Sequence, residues 1–197
     1  MSQKFRNKYR IPSSRLQNWD YGANGAYFIT ICTQDRECYF GEIVEAQFIA
    51  SELGVLAEKY WLEIPKHFPY AELGNFVIMP NHVHGILIID KNALVCKSES
   101  VETRLIASLP QMNISDTTNK TGGFAGDKNP MLQDNISRII RWYKGRCSFE
   151  MRKLHADFDW QSRFHDHIIR NEKSFETIQN YIANNPSNWN EDKFYGK

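Results

Sequence analysis

Apolar and polar positions follow two different periods along this chain, and the switching between them predicts a mixed fold. Residues 26–33 are rich in β-branched and aromatic side chains and predict a strand. Residues 34–37 read as a turn or hairpin tip, and 38–44 as a short strand returning from it. Between positions 46 and 64, Phe48, Ile49, Leu53, Leu56, Tyr60 and Trp61 fall at helical spacing, which predicts a helix stopped by Pro65. Residues 72–78 and 82–90 predict two strands joined by a tight turn at Met79, Pro80 and Asn81. Order resumes at Met131, where Leu132, Ile136, Ile139, Ile140 and Tyr143 mark an amphipathic helix whose other face carries Arg138, Arg141, Lys144 and Arg146. Asn171 can cap a last helix over 172–184, with Phe175, Ile178 and Ile182 as its apolar stripe and Pro186 as its end.

Three segments lack either period. Residues 1–24 are polar and aromatic and read as a basic arm. Residues 91–130 are dominated by Ser, Thr, Asn, Asp and Gly and read as a flexible insertion, with a short helix over 101–109. Residues 187–197 form a short tail. The core therefore divides into 25–90 and 131–186, and 197 residues suit one domain with a long insertion.

The chain's most pointed chemistry lies in the strand over 82–90. His82 and His84 stand two residues apart, so their rings share one face. Two buried imidazoles need partners. A divalent metal ion is one solution, and hydrogen bonds to neighbouring groups are the other. On the last helix, Tyr181 falls at the edge of the apolar stripe, with Asn185 four residues on along the same face. A helix crossing the histidine strand could bring that phenol and amide to a metal. Equally, the pair could be a half-buried tyrosine and a polar residue of the last helical turn.

Composition refines this picture. The net charge is only +1. Yet residues 1–20 hold five basic side chains against Asp20, and residues 138–171 hold eight against four acidic ones. Such clustering fits a local anionic partner such as nucleic acid, or an ordinary solvated surface. In residues 159–170, aromatic, basic and histidine residues interleave, which suits stacking on bases as well as a half-buried strand. Cysteines 32, 38, 96 and 147 form no C-x-x-C pair and suit a reducing cytosol. No apolar run approaches a membrane span, and no apolar segment of signal-peptide type follows the basic start.

Three motifs in order, MPNHVHG at 79–85, WQSRFHDHIIRN at 160–171 and NYIANNP at 180–186, resemble those of the REP-associated tyrosine transposases, a branch of the HUH single-strand transposases of bacteria. The likeness spans nearly the whole chain except 91–130. It implies an α+β fold, a ferredoxin-like palm in which helices pack on an antiparallel sheet. It implies that His82 and His84 are metal ligands, that Asn185 is the third, and that Tyr181 is the catalytic nucleophile. Tyr143 and Tyr195 remain alternatives without a ligand-type residue at i+4. Two imidazoles and an amide oxygen accept Mg²⁺ or Mn²⁺, and Zn²⁺ could also occupy such a set.

The activity so implied is metal-dependent cleavage and joining of single-stranded or hairpin DNA through a 5′-phosphotyrosine link. Lys144, Arg146, Arg163 and Arg170 are candidate phosphate contacts. The expected setting is the bacterial cytoplasm, with a monomer and a homodimer both open. Two rival readings keep the same residues: a hairpin-DNA-binding protein that does not cut, and a metal-dependent hydrolase in which Tyr181 is structural.

Overall fold

The computed structural model describes residues 19–92 and 133–195, together with the backbone of 4–5 and 8–9. The expected insertion, its helix over 101–109, Cys96, Met131 and Leu132 lie outside the described residues. In the arm, β1 (Lys4–Phe5) pairs antiparallel with β2 (Lys8–Tyr9).

The centre is a four-stranded antiparallel sheet of β3 (Gly25–Cys32), β6 (Ala71–Met79), β7 (His82–Ile89) and β8 (His165–Ile169), in the order β6-β7-β3-β8. Helix α1 (Glu52–Leu62) follows β3, and α3 (Ile136–Leu154) follows β7. This strand-helix-strand, strand-helix-strand sequence with β3 and β7 inside is the ferredoxin-like arrangement. Beyond it, α4 (Glu172–Asn184) packs along β6. Among the described residues no helix is long and apolar enough to cross a membrane.

The period of two separates the faces of the central strands. Tyr27, Ile29 and Ile31 of β3, and Val83, Leu87 and Ile89 of β7, enter the main core with Ala57, Trp61, Ile139, Ile140 and Tyr143 of α1 and α3. The alternate residues Phe28, Ile86 and Ile88 meet Phe175, Ile178 and Ile182 of α4. β7 is thus covered on both faces, and His82 and His84 lie on the α4 side. Caps fix where the helices begin. The Ser51 hydroxyl accepts from the Gly54 N–H at 3.1 Å, Asn135 accepts from Arg138, and Asn171 accepts from Ser174 at 2.8 Å.

The structure corrects three local expectations. Residues 38–44 do not return along β3, because β3 is an interior strand with β7 on one edge and β8 on the other. Its end is closed further by Thr33 bridging Trp160 and by the Gln161 N–H donating to Cys32. Instead β4 (Gly41–Val44) forms a separate ribbon with β5 (Gln47–Ala50). Residues 46–50 are accordingly not helical. Glu45 and Ala46 both have positive φ, at 49° and 63°, as a tight two-residue hairpin turn requires. Pro65 does not stop the first helix either. α1 ends at Leu62, and Pro65 sits in the first turn of α2 (Ile64–His67), where its missing N–H has no helical partner to lose.

One glycine decides how closely α1 approaches the sheet. A Cβ on Gly85 would lie 2.3 Å from the Trp61 ring, and Trp61 is fully buried. Gly85→Ala should therefore destabilise the fold by about 1–3 kcal/mol through overpacking. Denaturant unfolding monitored by tryptophan fluorescence checks this, and an unchanged midpoint would mean that Trp61 can move aside.

Candidate metal centre and nucleophile

The turn between β6 and β7 builds the first half of the site. Asn81, 1% exposed, donates through Nδ2 to the carbonyls of Arg36 at 3.2 Å and Phe194 at 3.0 Å. Carbonyls only accept, so this pair fixes which end of the amide is nitrogen. Asn81 Oδ1 then faces His82 Nδ1 at 2.8 Å and can only accept its proton. That assigns the tautomer: Nδ1 of His82 carries the hydrogen, and Nε2 carries a lone pair. His82 Nε2 is buried and has no hydrogen-bond partner among the described residues.

His84 lies beside it, the two ring centroids 4.4 Å apart. Its Nδ1 is 2.9 Å from the Thr30 hydroxyl on β3, and its Nε2 is 3.2 Å from the Tyr181 hydroxyl on α4. Phe28 stacks on the His84 ring at 5.1 Å and meets the Tyr181 ring edge-on at 6.0 Å. α4 therefore delivers Tyr181 to the histidine pair, with the residue 41% exposed and its hydroxyl on His84.

The C-terminal segment supplies the other half. After α4 the chain turns through a short 3₁₀ helix, Trp189–Glu191, and returns over the histidines. Trp189 and Phe194 are buried with Cys32 and Met79, and the Phe194 ring lies 4.6 Å from that of His82. Asp192 accepts from Asn185 Nδ2 at 3.2 Å and more weakly from the Tyr181 hydroxyl at 3.4 Å. A carboxylate only accepts, so the Asn185 amide nitrogen points at Asp192 and Oδ1 points elsewhere. Asn185 Oδ1 is a second buried atom with no hydrogen-bond partner among the described residues.

The donor set fits a divalent cation. His82, His84 and Asp192 each offer a ligand atom, and these atoms lie within 4.8 Å of one another. Asn185 is tied to Asp192 beside them. Two orphaned lone pairs, one on nitrogen and one on an amide oxygen, are costly in a dry site unless a cation meets them. Imidazole, amide and carboxylate donors together suit Mn²⁺, Mg²⁺ or Zn²⁺.

The electrostatics agree with this. Burial, aided by the Arg36 and Lys193 charges, pushes His82 down to about 3. Burial and the His82 ring hold His84 well below its ordinary value. Both imidazoles are therefore neutral at pH 7, as a ligand must be. Burial and the Asp192 charge push the Tyr181 phenol up to about 12, with the Asn185 hydrogen bond opposing. Without a cation, Tyr181 is a weak nucleophile.

The residues expected at the site do not all gather there. His82, His84, Tyr181 and Asn185 converge. Of the tyrosine alternatives, Tyr143 is buried in the opposite core with its hydroxyl donating to the Ala57 carbonyl, and Tyr195 packs edge-on against Trp189. The basic residues scatter. Lys144 donates to the Gln161 carbonyl inside the fold, Arg146 pairs with Glu150 on α3, Arg163 borders a cavity beside the histidines, and Arg170 borders another near Asn171. Sequence reasoning missed Asp192 and the clamping role of Asn81. Asp192 lies in a tail with no periodic pattern, and the pattern around Asn81 marks only a turn. The only available signal for Asn81 was its position directly before the histidine pair.

No family model matches the chain. An uncharacterised protein of Haemophilus influenzae is 38% identical over 186 residues, covering 93% of this chain and 92% of that one. This chain belongs to the same family as that protein. Among solved structures, a REP-associated tyrosine transposase bound to a REP hairpin superposes with a TM-score of 0.53 at 18% identity, covering 92% of this chain and 77% of that one. The fold is thus that of a REP-associated tyrosine transposase, as the motifs implied. A Deinococcus radiodurans protein provisionally described as a transposase aligns at 14% identity with a TM-score of 0.42, over 87% of this chain and 97% of that one.

Burial of two neutral histidines has a consequence for stability. Their folded-state pKa values lie below the unfolded value of about 6.5, so the unfolded chain takes up more protons as pH falls. The stability they permit is complete above about pH 6.5. It should fall by up to about 1.4 kcal/mol per pH unit for each histidine as pH drops below that, toward 3 for His82. Denaturant midpoints of the chelator-treated protein at pH 7 and pH 5 measure this, and equal midpoints would contradict the burial.

Proposed function

We propose that this chain cuts and rejoins single-stranded DNA carrying hairpins, as a transposase of the REP-associated tyrosine type. The observation that carries the reading is the convergence of the Tyr181 hydroxyl with two buried neutral histidines and the orphaned Asn185 Oδ1 in one site. His82 Nε2, His84 and Asn185 Oδ1 would hold a divalent cation, with Asp192 as a further ligand or as the group that fixes Asn185. Such a cation, when bound, polarises the scissile phosphate and stabilises the charge that builds on it.

The residues themselves do the rest. Tyr181 attacks phosphorus, forming a Tyr Oη–P bond as the P–O3′ bond breaks. The phenolic proton passes to Asp192 or to solvent, and the departing 3′-oxygen takes up a proton. The product is a 5′-phosphotyrosine and a free 3′-hydroxyl. The phosphodiester energy is kept in the new link, so the 3′-hydroxyl can reverse the step without an external energy source. Asn81 holds His82 in the ligand tautomer, and Thr30 orients His84. Phe28 and Phe194 keep water from the rings. The structural neighbour was solved with a REP hairpin, which makes hairpin DNA the first substrate to try.

With Mn²⁺ and labelled hairpin DNA from beside its own gene, the purified protein should give a label that migrates with it on a denaturing gel. Tyr181→Phe should abolish that adduct and leave DNA binding within about twofold, because the ring and its packing remain. Cleavage to free ends without an adduct would instead indicate a hydrolase. Binding without cleavage would indicate a recognition protein.

A further inference from the structure

The outer face of α3 carries a stripe that neither the core nor the histidine site uses. Arg138, Arg141, Trp142, Gly145, Arg146 and Phe149 recur at steps of three and four and so share one side of the helix. The inner stripe, with Ile139, Ile140, Tyr143 and Cys147, is buried in the main core. The outer stripe therefore faces away from the sheet, on the side opposite Tyr181 and α4. It lines a groove of about 640 Å³, to which His67 of α2 also contributes. Gly145 leaves a notch in this surface, because a Cβ there would meet nothing within 4 Å. A glycine inside a helix weakens it relative to alanine. At Gly85 the packing of Trp61 requires the missing side chain, whereas at Gly145 no neighbour does. The notch lies between Trp142, one turn before it, and Phe149, one turn after it and 61% exposed.

The charges and rings of the groove tell what it can hold. Arg138 pairs with Asp134 and Arg146 with Glu150, while Arg141 has no ion pair among the described residues. The aromatic rings are engaged as well. His67 packs on Trp142 with ring centroids 4.2 Å apart, and the Lys153 ammonium sits 4.4 Å from the Phe149 ring, with the Arg146 guanidinium at 5.9 Å. A nucleic acid asks for the reverse, unpaired cations along its backbone and open ring faces for its bases. What the groove offers is an apolar notch and one uncommitted guanidinium. Tryptophan and arginine around a sheltered apolar pocket are the makings of a protein-binding hot spot. We infer that this groove docks a protein segment in which a large apolar side chain stands within one helical turn of an Asp or Glu. The apolar side chain fills the notch over Gly145, between Trp142 and Phe149, and the carboxylate pairs with Arg141. Because the groove lies across the sheet from the histidines, a bound partner leaves Tyr181 accessible. The docking does not depend on the chemistry proposed for that site.

A displayed library of random peptides, panned against the full chain, supplies the probe. The comparison is with Arg141→Glu and with Gly145→Leu. Both positions are exposed, and nothing stands where the new Leu Cβ would sit, so the fold is retained, as circular dichroism checks. Peptides enriched on the wild type should share a large apolar residue with an Asp or Glu within one turn of it. A fluorescein-labelled copy of such a peptide should bind each variant at least about tenfold more weakly in anisotropy titrations. Enrichment no stronger on the wild type than on the two variants would overturn the inference, as would a labelled peptide that binds all three proteins alike. A labelled single-stranded DNA that loses about tenfold in affinity in both variants, while no peptide is enriched, would also overturn it and make the groove a nucleic-acid contact.

Discussion

A strand covered on both faces has no water to satisfy its polar side chains, and β7 carries two imidazoles on one of those faces. Everything around the site answers that constraint. On the opposite face, Gly85 lets Trp61 press against the strand, while Val83 and Leu87 fill the helix-side core. On the site face each histidine has its Nδ1, the nitrogen turned away from the site, held by one hydrogen bond: His82 donates to Asn81 Oδ1, and His84 is paired with the Thr30 hydroxyl. The remaining nitrogen of His82 is left with a lone pair and no partner among the described residues. Arrangements of this kind, in which one imidazole nitrogen is held and the other kept bare, are how proteins orient metal-binding histidines.

The C-terminal segment completes the enclosure. Asn81 grips it through the Phe194 carbonyl, Phe194 covers both imidazoles, and Asp192 holds Asn185 with its oxygen turned away. The same segment brings Lys193 toward Arg36, whose guanidinium donates to the Lys193 carbonyl. Neutral histidines, a carboxylate and two cations thus meet within one small region. The cations help keep the imidazoles unprotonated and border the cavity beside Thr30.

Much of this was legible in the sequence because it follows from short-range periodicity. The i, i+2 spacing of His82 and His84 put both rings on one face. The i, i+4 spacing of Tyr181 and Asn185, with Asn171 as cap and Pro186 as stop, placed the last helix correctly. What failed were features set by long-range pairing. Residues 38–44 looked like the return of a hairpin, but both edges of β3 were already taken. Phe48 and Ile49 fell at helical spacing by coincidence, and the turn at Glu45 and Ala46 made them a strand. Asp192 could not be found from local pattern at all, since it reaches the site only because Trp189 and Phe194 bury themselves against Cys32 and Met79. The scatter of Lys144, Arg146, Arg163 and Arg170 shows the same limit, because a run of charge in sequence says little about which of its members share a surface.

Calorimetric titration of the chelator-stripped protein with Mn²⁺ tests most directly whether the buried donors form a metal centre. The account predicts one ion per chain, with affinity lowered by at least about tenfold in His82→Ala and in Asn185→Ala while the circular dichroism spectrum is kept. Equal Mn²⁺ binding by the wild type and both variants would contradict it.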